Sequence, residues 1–403
     1  MTPAEDAIER VVRESYGRLV AWLVARWRDV AAVEDALSEA LATALRRWPV
    51  DGLPERPEAW LLSAAHRRLI DAARHMKVRA AAAPDLADLA AETSTPMTFP
   101  DERLPLLFVC AHPALAEDVR APLMLQTVLG LDASRIAAAW LTAPATMAQR
   151  LVRAKTKIRD ARLRFEVPEI SEMPARLEAV LEAIYAAYAT GWADPLGQDA
   201  RTATLAREAI WLARTVADLL PGEPEADGLL ALLLHCEARR KARRDAEGRY
   251  VPLSGQDVRM WDHSVIEEAE QRLAAAFAAG RPGRFQWEAA IQSAHAARRR
   301  TGATDWPAIV RLYGALLETA PTLGAAVAAA WAVTEADGAA AGLSRLEALP
   351  AKETAGFQPY WSVRAEVLKR LGRWDESAAA RERARALADD PAVRAFLDER
   401  PKA

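Results

Sequence analysis

Apolar residues recur every three or four positions along nearly the whole chain. In residues 4–28, Ile8, Val11, Val12, Leu19, Leu23 and Trp27 hold that spacing with Arg and Glu between them, which predicts an amphipathic helix. A second helix is predicted from Val33 to Trp48, stopped by Pro49, Gly52, Pro54 and Pro57. A third runs from Glu58 to Val78 with Trp60, Leu61, Leu69 and Ile70 apolar. Residues 79–100 are rich in Ala, Pro, Ser and Thr and read as a linker. The periodicity then resumes. Asp132 or Ser134 is placed to cap a short helix containing Ile136, Ala137 and Trp140, and Leu141 to Ala143 make a tight turn. Pro144 suits the first turn of the next helix, which carries Met147, Leu151, Ala154 and Ile158 on one stripe. Two helices joined by so short a turn form a helix-turn-helix candidate.

Beyond Pro168 no strand signal appears. Amphipathic segments are expected at 174–192, 200–219, 224–241, 256–279 and 286–300, with a longer loop at 244–257. In the last hundred residues Gly338 and Gly372 lie 34 residues apart, each between two helical segments. That period is the tetratricopeptide (TPR) one, and Trp361, Gly372, Trp374 and Ala384 fit its large and small positions. The expectation is an all-α chain with a helical domain at 1–78, a linker at 79–100, a helix-turn-helix domain at 101–166, a helical extension at 167–300 and TPR-like repeats at 301–403.

Composition agrees. Over 403 residues, more than a fifth are alanine, the strongest helix former, and the length calls for two or three cores. The formal charge of −3 hides an asymmetry: residues 1–165 hold 23 basic and 21 acidic side chains, residues 166–403 hold 30 and 35. Residues 144–164 carry seven Lys/Arg against one Asp, which points to an anionic partner met at one place. The longest uncharged stretch, Thr319–Thr334, contains Pro321 and is too short to span a bilayer. The start MTPAEDAIERVV lacks the basic region of a secretory signal. Cys110 and Cys236 make no disulfide scaffold, so a reducing cytoplasm is expected, without a membrane.

Candidate chemistry is sparse for an enzyme. Cys110 with His112, and His235 with Cys236, belong to no four-ligand zinc set; each pair reads as a buried thiol beside a surface histidine, so no metal and no cofactor are expected. Glu34–Asp35 and Glu267–Glu268 are adjacent and point apart on a helix, a poor acid–base arrangement. Binding features are richer. If the 147–158 stripe packs inward, Thr146, Gln149, Arg150 and Arg153 face outward where a recognition helix enters the major groove, and the other basic residues, Lys155 and Lys157 among them, suit phosphates. Trp60, His66, Arg67, Arg68 and Arg74 interleave aromatic and basic groups as single-stranded nucleic acid requires, or else are a core tryptophan and a solvated face. Glu34, Asp35 and Glu39 make an acidic helix face, either solvated or a dock for a basic partner.

Taken in order, these pieces resemble the extracytoplasmic-function sigma factors. VEDALSEALATALRRWP looks like their region 2.2, RPEAWLLSAAHRRLIDAAR like regions 2.3 and 2.4, and ASRIAAAWLTAPATMAQRLVRAKTKIRDA like region 4.2. DERLPLLFVCAHPAL, GLLALLLHCEARRKARRDAEGRYVPLSGQD, WDHSVIEEA and TDWPAIVRLYGALLETAP resemble the subgroup with a large C-terminal extension ending in TPR-like repeats. Ser38 and Leu41 stand where region 2.2 has Gln and Phe, and His66-Arg67 where region 2.4 has Arg-Asn. The resemblance implies core RNA polymerase as partner, through its β′ clamp helices and β flap, and promoter DNA. It implies that Glu34, Asp35, Ser38 and Glu39 face the clamp helices, and that Trp60, Ser63, His66, Arg67, Arg68, Asp71 and Arg74 take and open the −10 element. Thr146, Gln149, Arg150, Arg153, Lys155 and Lys157 would read the −35 element, and the C-terminal domain would tune activity through a protein partner. The alternative is a helix-turn-helix regulator with a helical sensor body that acts without polymerase.

Overall fold

The computed structural model describes residues 3–79, 102–128, 130–139, 142–166, 168, 172–192, 200–388 and 390–398. Among them the chain is all-α, with no strand beyond a single antiparallel bridge between Arg244 and Tyr250. The predicted linker lies, Arg79 apart, outside the described residues. The described residues up to Leu212 form one compact unit and those from Ala213 onward a second.

In the first unit, α1 (Pro3–Trp27), α2 (Val30–Asp51) and α3 (Pro57–Arg79) pack pairwise. Their apolar stripes supply Leu19, Leu23, Val33, Leu37, Leu61 and Leu69, all buried. Asp29 caps α2 by accepting from the Ala32 N–H at 3.0 Å. Pro49 does not end α2, as the sequence reading expected. It sits in the last turn, and the helix stops only at Gly52, whose φ of 88° lets its N–H reach the Trp48 carbonyl at 3.2 Å. Then follow α4 (Arg103–Cys110), α5 (Glu117–Thr127), α6 (Ala133–Ala139), α7 (Pro144–Asp160), α8 (Met173–Trp192) and α9 (Ala200–Leu219). α4 lies on α1, α7 touches both α5 and α2, and α8 covers α4 and α5. The first helix of the expected extension thus packs against helices of 101–166. Arg103, 5% exposed, pairs there with Glu208 and stacks 3.9 Å above the Trp211 ring.

The second unit is built around α10 (Pro224–Ala238), whose Leu229 to Leu234 are all buried, with α11 (His263–Ala278) and α12 (Arg284–Ala296) packed on it. Gly283 has no side chain to cap α12. Glu225 of α10 does so instead, accepting from the Phe285 and Gln286 N–H groups at 3.0 and 3.2 Å. After the short α13 (Arg298–Thr301), α14 (Trp306–Thr319), α15 (Leu323–Asp337), α16 (Ala339–Glu347), the short α17 (Ala351–Thr354), α18 (Gln358–Arg370), α19 (Trp374–Ala386) and α20 (Pro391–Asp398) follow. Most neighbours in this series pack in succession. Gly338 (φ 99°) and Gly372 (φ 73°) make the turns of α15–α16 and α18–α19. Ala384 is buried and Trp361 half-buried, but Trp374 is 62% exposed and fills no core position.

One expected thiol–histidine pairing is reversed. Cys110 is buried, 3.4 Å from the Thr127 hydroxyl, and burial pushes its thiol up to about 12. At the second pair it is His235 that is buried, 3% exposed, while Cys236 is half-buried. His235 lies on the side of α10 that α11 and α12 cover, beside Trp261, Ile266 and His295, so burial falls on it. Neither ring nitrogen has a hydrogen-bond partner, and the nearest carboxylate, Glu270, is 3.6 Å away. Burial, then Arg239, lowers its pKa from 6.5 to about 4. The neutral form is the folded one, so the stability this site contributes is whole above pH 6.5 and is lost as pH falls toward 4. His235→Gln should lessen the pH dependence of amide-exchange protection in α10 between those values, where protonating this site costs ~3 kcal/mol and the similarly lowered His295 beside it supplies the slope that remains. An unchanged slope in the variant would contradict the assignment.

Candidate nucleic-acid interface

α7 is the most basic element of the described chain, and local rules set its limits. Ala143 is extended, Pro144 opens the first turn, and Arg162 in the left-handed region (φ 49°) ends the helix, with Leu163 N–H bonding back to the Ile158 carbonyl at 3.2 Å. Of the two cap candidates for α6, Asp132 serves, accepting from the Ser134 N–H at 3.0 Å. Residues 140–143 join α6 to α7, with Trp140 and Leu141 outside the described residues. Met147, Leu151, Ala154 and Ile158 are buried as the stripe predicted. Thr146, Gln149, Arg153 and Lys157 stand exposed on the other face. Arg150 is exposed too and meets Asp118 of α5 at 3.2 Å, a solvated pair of small energy. Val152, Arg153, Thr156, Lys157, Asp160 and Ala161 line a shallow open hollow on this face.

On α3, Ser63, Arg67, Asp71 and Arg74 are exposed. Arg67 donates to the Ser63 carbonyl at 3.1 Å, and Arg74 lies 3.9 Å from Asp71. Trp60 is half-buried with its ring edge-on to Trp48, centroids 5.5 Å apart. His66, expected among the nucleic-acid contacts, is 6% exposed and packs edge-on to Trp27 at 5.6 Å. Burial and the neighbouring Arg26 lower its pKa, so it is held as a neutral core group rather than offered as a cation.

The acidic face of α2 is divided. Asp35 and Ser38 are exposed. Glu39 pairs with Arg68, which also donates to the Thr43 hydroxyl at 2.7 Å. Glu34 pairs with Lys155 of α7, side chains 17% and 9% exposed. Burial raises the Glu34 carboxyl above its ordinary range, against the pull of Lys155. Lys155, expected among the −35 contacts, is therefore turned away from the outward face of α7. It lies four residues after Leu151 and three before Ile158, a stripe position turned toward α2, and that spacing was the available signal.

Residues 11–78 match Sigma-70 region 2, and residues 176–277 match a family of unknown function (DUF6596). An uncharacterized protein of Rhizobium meliloti (strain 1021) is 37% identical over 383 residues, covering 93% of this chain and 90% of that protein. The chain belongs to that protein's family and carries a sigma-70 region 2. No solved structure matches. Region 2 supports a sigma factor role in promoter recognition and transcription initiation, with core RNA polymerase and promoter DNA as partners. No helix of the described residues is long and apolar enough to cross a membrane, and no group of three or more His, Cys, Asp or Glu among them is placed to hold a metal ion.

Region 2 here comprises α1 to α3, and its contact with the following helices rests on residues that sequence reading passed over. Gly17 of α1 lies against the turn after α5, where a Cβ would overlap the Val128 carbonyl oxygen. Gly130 (φ 69°) lies under Tyr16, where a Cβ would come within 3.0 Å of the ring. Burial, with Glu34 and Asp35 adding, raises the Tyr16 hydroxyl well above its usual range. Gly17→Ala should destabilise the first unit by about 1–3 kcal/mol in chemical denaturation, because backbone on both sides must move. A loss below about 0.5 kcal/mol, the range of ordinary surface changes, would contradict so close an approach.

Proposed function

We propose that the chain is an extracytoplasmic-function sigma factor that binds core RNA polymerase in the cytoplasm and directs it to promoters, with no catalytic activity of its own. The region 2 match, falling on the three helices whose exposed face combines Arg67, Asp71 and Arg74, is the observation that carries this reading. In it, Ser63, Arg67, Arg68, Asp71 and Arg74, with the half-buried Trp60, take the −10 element. α6 and α7 act as a region 4 helix-turn-helix in which Thr146, Gln149, Arg150, Arg153 and Lys157 meet the −35 element. Gln and Arg suit adenine and guanine edges, and a lysine suits a phosphate. Asp35, Ser38 and Glu39, joined by Glu34 once Lys155 has withdrawn, dock on the clamp helices, and the helix-turn-helix domain meets the β flap. Two weak DNA-reading modules gain avidity by being held on one polymerase. The extension, with TPR-like hairpins at α15–α16 and α18–α19, tunes this activity through a protein partner.

The test is run-off transcription with sigma-free core polymerase. A sigma factor yields promoter-dependent transcripts. A gel shift on duplex DNA without core enzyme, and no transcript with it, would instead favour a one-component regulator. Arg153→Ala should reduce use of a −35 element by ~1–3 kcal/mol if it reads a base edge, with the loss confined to particular −35 sequences. A uniform loss across sequences would assign it to phosphate. Asp35→Lys should weaken co-purification with core polymerase while leaving the circular dichroism spectrum unchanged.

A further inference from the structure

We propose that the contact of α7 with α2 is a latch: Lys155 holds Glu34 in the closed first unit, and core polymerase is bound only when the two part. This rests on the sigma reading of Glu34 and of α7, and adds to it that one contact withdraws one residue of each surface, Glu34 and Lys155, at once.

The geometry makes the two uses of Glu34 exclusive. Its side chain is 17% exposed and its Oε2 is taken by Lys155, so a cation of another protein has no path to it while α7 is seated. Lys155 is equally spent, with 9% of its side chain exposed and its ammonium turned away from the outward face of α7. The same seating brings α7 close along α2.

The chemistry of the contact suits a latch better than a permanent joint. Burying two ions costs solvation that their attraction only about repays, so a pair of this kind holds a geometry without adding much stability. This one is also incompletely satisfied. The second carboxylate oxygen of Glu34, Oε1, is buried and accepts no hydrogen bond. Parting the helices returns that oxygen and both charges to water, which an apolar joint would not gain. The covalent path allows it: residues 80–101 number 22, enough chain to reach about 70 Å when extended. A cationic polymerase surface can then replace Lys155 at Glu34, one charge partner for another. Closure lowers apparent polymerase affinity by the fraction of molecules that are open.

The other joints, the packing of α4 on α1 and the approach of Gly17 to the Val128 turn, must part in the same movement. The second offers an independent way to bias the equilibrium, since Gly17 belongs to neither binding surface.

The experiment uses the full chain and two readouts: amide hydrogen exchange without polymerase, and affinity for sigma-free core polymerase. Lys155→Glu places two carboxylates in the contact. It should speed exchange in Val33–Leu37 and Leu151–Ile158 and tighten core binding about tenfold. Gly17→Ala should do both in the same direction. The double exchange Glu34→Lys with Lys155→Glu restores the pair with charges swapped, and should recover native protection, showing that the single variant opens rather than unfolds. Unchanged exchange in Lys155→Glu overturns the latch. So does faster exchange in both single variants with core affinity equal to or below that of the native chain. If the native chain and every variant fail to bind core while exchange responds as expected, it is the sigma reading that has failed and the gating role falls with it.

Discussion

A lysine and a glutamate 121 residues apart in sequence share one poorly solvated contact, and the arrangement of the first unit turns on it. Removing either partner alone would leave an uncompensated ion, at a cost of about 3–5 kcal/mol, although the pair adds little net stability when both are present. Its effect is therefore on geometry. It ties α7 to α2 at one point of the buried stripe, while the stripe itself decides which basic residues of α7 remain outside. Met147, Leu151 and Ile158 supply the cohesion, and Lys155 supplies the register.

The same division between cohesion and register recurs elsewhere. In the second unit, α10 contributes an almost unbroken apolar surface that would accept several helix orientations. Glu225 singles one out by capping the start of α12, and Gly228 permits it, since a Cβ there would come within 2.8 Å of the Gln286 backbone nitrogen. In the first unit Arg103 does the comparable work, inserted between Glu208 and the ring of Trp211. Each of these polar groups is buried or half-buried at a point where two elements meet, and each has a directional partner that an aliphatic side chain would lack.

On the proposed reading, the side of α7 assigned to DNA is exposed while part of the side of α2 assigned to polymerase, Glu34, is not. The two classes of surface are thus not equally available in the free protein. Arg68 is drawn onto Glu39 and Arg150 onto Asp118, so several of the expected contact residues already hold intramolecular partners that a nucleic acid or a protein must displace. Those pairs are solvated and weak, which makes the exchange inexpensive.

Much of this was legible along the chain. The all-α fold, the stripes of α1 to α3, the opening of α7 at Pro144 and the outward set Thr146, Gln149 and Arg153 follow from spacing, because a helix maps positions three and four apart onto one face whatever surrounds it. The glycine turns at 338 and 372 follow from the φ that their junctions require. Folding alone decided the rest. Spacing sets Lys155 on the stripe of α7 but does not name its partner, and whether His66, His235 or Arg103 is covered or open depends on a second helix far away in the chain. Periodicity describes one helix at a time. Burial of a charge is a property of two, and of the partner one brings to the other.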